Sequence, residues 1–364
     1  MVVRVIDEVM MDQALELAAK GLGATSPNPM VGAVVTQGER IVGRGFHARA
    51  GAAHAEVVAL DEAGEAARGG KLYCNLEPCC HTGQTGPCVE RILGAGIAGV
   101  VVAVEDPDPR VNGAGIRRLR DRGIKVIVGV RGKEAARLNE AFFTVNRLSR
   151  PFVTMKVAVS LDGRITAKRG RRTPLTGAVA DGHAHTVRAE VDAIGVGSET
   201  MLVDDPLLTA RGRNRHRPLV RVIFDTRMRT SPVARVLTTL VEGPVVIMTT
   251  DAALETWPER AVALRRTGAI IESLPARDPA QALSRLVSHE VSHLLLEGGA
   301  VLHRAAWVAG VVDRVRLYVS PVVLGRTGVP WMPDGRFSFA ALTGRCVRCL
   351  GKDVLLEANV QRFD

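Results

Sequence analysis

Aromatic residues are scarce in this chain of 364 residues: three tryptophans, two tyrosines and eight phenylalanines make up 4% of it. Proteins that hold single-stranded nucleic acid interleave aromatic stacking platforms with a basic groove. The scarcity argues against such a partner, although the formal net charge is +10. The arginines are scattered, not gathered into a run, so the positive excess reads as a preference for small anionic ligands. No stretch of about 18 apolar residues is free of charge, so no membrane span is expected. Residues 1–11 place Arg4, Asp7 and Glu8 among valines and lack the basic start and apolar run of a secretory leader. Cytoplasmic residence is the expectation, and the six cysteines are then thiols or metal ligands rather than disulfides. Internal repeats and low-complexity segments are absent too.

Against these absences stands one dense constellation. His54-Ala55-Glu56 is followed by Pro78-Cys79-Cys80-His81 and then by Cys88. It offers three zinc ligands and a carboxylate that need not bind metal. Three protein ligands leave tetrahedral zinc an open position for water, the mark of a catalytic site. A nearby Glu can carry the water's proton to a leaving amine, as hydrolytic deamination of a nucleobase-like ring requires. A closed structural knot fits less well, because Cys79 and Cys80 are adjacent and paired Cys-x₂₋₄-Cys spacing is missing.

Length and composition suit two or three domains with large cores, at 46% hydrophobic and 24% charged residues. Apolar periodicity predicts a helix over 11–22 and a hairpin over 31–46 with Gln37-Gly38 at its turn. Helices over 54–67, 87–95, 114–122 and 133–147 alternate with strands over 71–76, 100–104 and 125–128. A layered α/β domain with a mostly parallel sheet follows. Ser149-Arg150-Pro151 is a seam, giving domains over 1–149 and 150–364. The second α/β pattern predicts strands near 152–159, 192–196, 219–224, 244–248, 292–296 and 313–319. Helices fit near 178–190, 257–266, 279–288 and 299–309, with a closing hairpin over 346–360. His54 and Glu56 fall at one helix entrance, and Cys79 and Cys88 bracket the next, where helix N-termini favour thiolates. Lys156 lies on an apolar strand and needs an acidic partner or an anionic ligand; Glu297, at a strand end, is the candidate. Gly298-Gly299 reads as a phosphate turn or as an ordinary strand-to-helix connection. Cys346 and Cys349 resemble half a metal or redox motif that nothing completes, and read as structural.

The first half resembles the cytidine deaminase superfamily, and the whole chain, over roughly 11–360, resembles the bifunctional riboflavin-biosynthesis deaminase–reductases. Pro27-Asn28-Pro29-Met30-Val31-Gly32, Gly45-Phe46-His47, Leu76-Glu77-Pro78-Cys79, Gly83-Gln84-Thr85-Gly86-Pro87-Cys88, Asp106-Pro107-Asp108-Pro109 and Leu138-Asn139 carry the first part. Ser160-Leu161-Asp162-Gly163-Arg164, Asp204-Asp205-Pro206-Leu207-Leu208-Thr209 and Glu297-Gly298-Gly299 carry the second. The resemblance implies an N-terminal cytidine-deaminase-like three-layer domain and a C-terminal dihydrofolate-reductase-like domain. It implies Zn²⁺ held by His54, Cys79 and Cys88, with Glu56 as the proton shuttle. A phosphoribosylated diaminopyrimidinone would lose an amine, and its ribosyl group would then be reduced to ribityl by NADPH. Asn28 and His47 would meet the substrate of the first step, His47 being equally readable as a structural histidine. Ala158, Thr200, Asp204, Thr226, Gly298 and Gly299 would meet the cofactor, and Lys156, Arg188, Leu208, Arg211 and Glu297 the second substrate. A homo-oligomer, dimer or tetramer, is implied as well.

The second half departs from the family pattern. Where a Ser-x-Trp-Ile-Thr stretch is usual, the chain has Arg172-Thr173-Pro174-Leu175-Thr176, and a Ser-Arg pair is replaced by Ala180-Asp181. Proline removes a backbone donor and an aromatic wall together. Two readings stay open: a working reductase with a rebuilt pocket, or a zinc deaminase with a degenerate, non-catalytic reductase-like half.

Overall fold

The structure is a computed structural model and describes residues 4–81, 86–213, 215–332 and 337–361. The chain divides into two compact units, Met1–Ser149 and Arg150–Asp364.

In the first unit α1 (Val5–Ala19) is followed by β1 (Gly32–Gln37), β2 (Arg40–Phe46), α2 (Ala55–Ala63), β3 (Lys71–Cys74) and α3 (Cys88–Gly94). Then come β4 (Gly99–Val102), α4 (Ala114–Asp121), β5 (Lys125–Val128), α5 (Gly132–Leu138) and α6 (Glu140–Leu148). The sheet runs β2-β1-β3-β4-β5. It is mixed, not mostly parallel: β1 is antiparallel to both β2 and β3, and only β3-β4-β5 are parallel. Strand alternation sends Val35, Leu72, Val100 and Val102 to α2, α3 and α4 on one face. Val34, Tyr73, Val101 and Ile127 go to α1 and α5 on the other. Three layers result.

In the second unit β6 (Phe152–Ser160), β7 (Arg164–Thr166), α7 (Ala178–Glu190), β8 (Ala193–Gly197), α8 (Ser198–Asp204) and β9 (Val220–Phe224) come first. They are followed by β10 (Val245–Thr250), α9 (Asp251–Thr256), α10 (Pro258–Arg266), β11 (Ile270–Leu274), α11 (Pro279–Val287), β12 (His293–Glu297) and α12 (Ala300–Val308). The chain closes with β13 (Arg314–Ser320), β14 (Val329–Pro330), β15 (Leu342–Leu350) and β16 (Asp353–Val360). The large sheet runs β11-β10-β9-β8-β12-β6-β13-β16-β15, parallel from β11 to β13 and antiparallel beyond. Leu294 and Leu296 pack with α11 and α12, while Leu295 between them packs with α7, α9 and α10 on the opposite face. A parallel sheet covered on both sides opens at its strand carboxyl ends, where ligands of α/β folds bind.

Candidate active sites

His54 is the N-cap of α2 with extended backbone (φ −70°, ψ 154°), and Glu56 lies in the first turn. Because His54 is not yet helical, both side chains reach one pocket. Glycines bring the helix in: a Cβ on Gly45 would lie 2.2 Å from the Ala55 carbonyl oxygen, and one on Gly43 2.1 Å from that of Ala59. Cys88 opens α3, and its backbone N–H donates to Cys79 Sγ at 3.3 Å. Cys79 is fixed from below by Glu77, a buried carboxylate that accepts from the backbone N–H groups of Asp106 (3.1 Å), Gly113 (2.8 Å) and Ile116 (3.1 Å). A Cβ on Gly115 would sit 2.2 Å from the Pro78 carbonyl oxygen, so only glycine lets this loop close on the cysteine.

His54 Nδ1 lies 3.1 Å from Cys88 Sγ and 3.5 Å from Cys79 Sγ, and all three ligand atoms fall within 4.8 Å of one another. Zinc takes sulfur at about 2.3 Å and imidazole nitrogen at about 2.0 Å in a tetrahedron, so this spacing fits one ion. The charges fit as well. The Cys88 thiol donating to Cys79, helped by His54 and opposed by burial, holds Cys79 down at about 4, while the same contact and burial push Cys88 up. A dication between the two sulfurs favours the thiolate form of both. Burial, then the Cys79 charge, push the Glu56 carboxyl up, as suits a group that must take and release a proton. Cys80 Sγ donates to the Arg110 carbonyl instead (3.8 Å), outside the ligand set. Gly83-Gln84-Thr85 lie outside the described residues.

Asn28 and His47 meet directly: Asn28 Nδ2 is 3.2 Å from His47 Nε2, and His47 Nδ1 is 3.1 Å from the Ala53 carbonyl oxygen. The carbonyl can only accept, so Nδ1 donates and Nε2 accepts from the amide. Burial also lowers the His47 pKa, favouring the neutral ring. With both nitrogens engaged, His47 holds Asn28 rather than offering a charge to phosphate. Behind them Asn139, overlooked as a site residue, grips Met30 from both sides, accepting from its N–H (2.7 Å) and donating to its carbonyl (2.8 Å). Asn75 adds a bond to the same carbonyl (3.0 Å).

In the second unit a cleft of about 1110 Å³ opens at the carboxyl ends of β6, β8, β9 and β12. Ala158, Thr200, Asp204, Thr226, Gly298, Gly299, Lys156, Arg188, Leu208, Arg211 and Glu297 all line it, as do Arg172 and Pro174. Gly298 (φ 82°) and Gly299 (φ 79°) are left-handed before α12, and a Cβ on Gly298 would lie 2.8 Å from Thr200 Oγ1. This bare backbone at a helix entrance could hold a phosphate group, and the cleft has room for a dinucleotide. Leu208 also has left-handed backbone (φ 54°), an unusual state for a branched residue. Glu297 has a partner not foreseen: Arg188 binds it in parallel, Nε at 2.7 Å and Nη2 at 2.8 Å, whereas Lys156 Nζ is 4.0 Å away. Burial raises the Glu297 pKa, but Arg188 and then Lys156 outweigh it and hold the group at about 2. Lys156 also sits 5.1 Å above the Tyr318 ring.

The first unit is a zinc-type deaminase fold and the second a nucleotide-binding reductase-type fold joined in one chain. Residues 4–104 match the cytidine and deoxycytidylate deaminase zinc-binding region, and residues 151–356 match the RibD C-terminal domain. The riboflavin biosynthesis protein RibD of Aquifex aeolicus is 40% identical over 323 residues, 89% of each chain; that of Escherichia coli is 36% identical over 332, covering 88% and 89%. Among solved structures, Acinetobacter baumannii RibD superposes with a TM-score of 0.86 at 33% identity, covering 98% of this chain and 99% of that one. A Thermotoga maritima diaminohydroxyphosphoribosylaminopyrimidine deaminase/5-amino-6-(5-phosphoribosylamino)uracil reductase gives 0.82 at 32%, with the same coverage. The chain belongs to the RibD family of riboflavin biosynthesis proteins, bifunctional enzymes with a zinc-binding deaminase half and a reductase half. Among the described residues no helix is long and apolar enough to cross a membrane.

Proposed function

We propose that the first unit deaminates a phosphoribosylated diaminopyrimidinone and that the second reduces the ribosyl group of the product to ribityl with NADPH. The observation that carries this reading is the meeting of His54 Nδ1, Cys79 Sγ, Cys88 Sγ and the buried Glu56 carboxyl at two helix entrances. His54, Cys79 and Cys88 would hold zinc, which when bound would supply the Lewis acid that makes water nucleophilic near neutral pH. Glu56 takes a proton from the water that adds to the ring carbon and gives it to the exocyclic amine; the C–N bond breaks and ammonia leaves. Asn28, oriented by His47, presents its amide to the pyrimidine.

In the second unit the cleft would hold NADPH, whose chemistry when bound would be hydride donation to the ribosyl C1′ as the bond from C1′ to the ring oxygen opens. Ala158, Thr200, Asp204, Thr226 and the Gly298–Gly299 turn hold the cofactor. Lys156 keeps a proton at Nζ for the sugar oxygen, Glu297 and Arg188 fix the ribosyl group, and Leu208 and Arg211 meet the substrate. The open cleft around Arg172 and Pro174 supports a working reductase over a degenerate one. Six free cysteines suit the reducing cytoplasm. The edge strand β15, with Val347 63% exposed, suits pairing with a second copy in a dimer or tetramer.

Glu56→Gln is expected to slow ammonia release by about 10²–10⁴-fold. It should leave NADPH oxidation with the deaminated intermediate in place. Unchanged ammonia release sinks the first assignment; no NADPH oxidation by the unaltered protein sinks the second.

A further inference from the structure

Lys156, on β6, stands in a row of charged side chains that crosses the large sheet. Register sets Glu297 of β12 on one side of it and Arg316 of β13 on the other, with Glu357 of β16 next in line. Both carboxylates are already taken. Arg188 binds the two oxygens of Glu297, and Arg316 pairs with Glu357. The Lys156 side chain is 16% exposed, its ammonium approaches Glu297 at 4.0 Å, and among the described residues no hydrogen bond engages Nζ. Arg188 on α7 and His303 on α12, held neutral by burial, face the same region and offer no negative charge. An ammonium so far out of water needs a further partner.

The Tyr318 ring is that partner. Nζ lies over its face, 5.1 Å from the centroid, inside the range of about 6 Å where the attraction acts. Tyr318 follows Arg316 by two positions on β13, so it points to the same side of the sheet, one step nearer the strand ends where the cleft opens. The ring is buried and packs with Ala158, Ala180, Ala184, Leu350 and Leu355. His183 Nδ1 on α7 lies 2.8 Å from the hydroxyl, and Arg348 donates to His183 Nε2 at 3.4 Å. Arginine can only donate, so the neutral imidazole carries its proton on Nδ1 and gives it to the Tyr318 oxygen. With the hydroxyl tied down and the edges packed, the ring offers Lys156 its face, which carries negative potential and favours the charged amine.

We infer that Tyr318 is a positioning residue of the reduction: its ring face holds the Lys156 ammonium charged and in place at the cleft floor, because Arg188 has taken the carboxylate that would otherwise do so. This rests on the reduction reading given above. As the bond from C1′ to the ring oxygen opens, its electron pair stays on the oxygen, which takes the proton from Nζ, and water restores it. A Lys156 that has lost its proton to solvent beforehand has none to give. The ring acts through Lys156 and touches no substrate, since Tyr318 is not among the residues that line the cleft.

The test places phenylalanine and its di- and trifluorinated forms at position 318 of the full zinc-loaded chain. Shape is nearly kept while the ring face loses negative potential step by step. Acylation of Lys156 by acetic anhydride, which only the neutral amine undergoes, is followed against pH by peptide mass spectrometry with no NADPH present. The pH at which labelling sets in is expected to fall by about one unit between Tyr318→Phe and the trifluorinated ring. The alkaline fall of kcat for the reduction should move with it, with KM for NADPH steady. Tyr318→Leu is expected to lose about 10-fold in kcat at neutral pH, and Tyr318→Phe, which keeps the ring, to retain most of the rate. A labelling curve that stays put along the fluorine series overturns the role of the ring while sparing the reduction reading. An unaltered chain that never oxidises NADPH overturns the reduction reading, and the role with it, even where the labelling curve moves.

Discussion

Arg188 and Glu297, 109 positions apart in the chain, lock together through two parallel bonds of 2.7 and 2.8 Å at the floor of the second unit's cleft. Each reaches across from a different layer, Arg188 from α7 and Glu297 from the end of β12.

Removing only the cation strands a buried carboxylate. Arg188→Leu is expected to destabilise the second unit by about 3–5 kcal/mol, and Arg188→Leu/Glu297→Leu by much less. Denaturant melts of the three proteins check this. Equal losses in single and double variants would mean that the pair matters only through shape.

The loop beneath the zinc ligands should be intolerant of one methyl group. In Gly115→Ala the new Cβ would lie 2.2 Å from the Pro78 carbonyl oxygen, so that carbonyl must move and shift Cys79 with it. Zinc affinity, measured by competition with a coloured chelator, is expected to fall about 10–100-fold, as when support behind a metal ligand is lost. Undiminished affinity would free Cys79 from that loop.

Acid should loosen the second unit through His303. Its Nδ1 accepts from Trp331 Nε1 (3.1 Å), its Nε2 donates to the Leu296 carbonyl (3.3 Å), and burial holds its pKa down at about 4. The unfolded chain binds a proton near pH 6.5 and the native one does not, so this stability is full above that value and drains away as pH falls toward 4. The histidine accounts for about 3 kcal/mol across the window. His303→Gln can keep both bonds without titrating. Its stability, followed by denaturant melts between pH 7 and 4.5, should decline less steeply than that of the unaltered chain. Parallel declines would clear His303.

Much of this was legible in the sequence. Long apolar strands and the zinc constellation announce themselves because burial on alternating positions and metal chemistry leave few substitutes. Short, half-exposed pieces do not: β11 at the sheet edge, α8 and α9 have too few buried positions to set a period. The helix foreseen over 133–147 is broken in two at Asn139 (φ −105°, ψ 23°), whose side chain turns to Met30 rather than to solvent. The partner of Glu297 was hidden for a different reason. With 48 Lys and Arg in the chain, nothing local marks Arg188 out; only the folding of α7 over β12 selects it.

The grip of Asn139 on Met30 also sets a minimum length. The zinc-region likeness stops at residue 104, yet the segment presenting Asn28 is tied down by a side chain 35 positions later, at the joint between α5 and α6. Trimming the chain at residue 104 would keep every metal ligand and still untether the segment of Asn28, the wall proposed to face the pyrimidine.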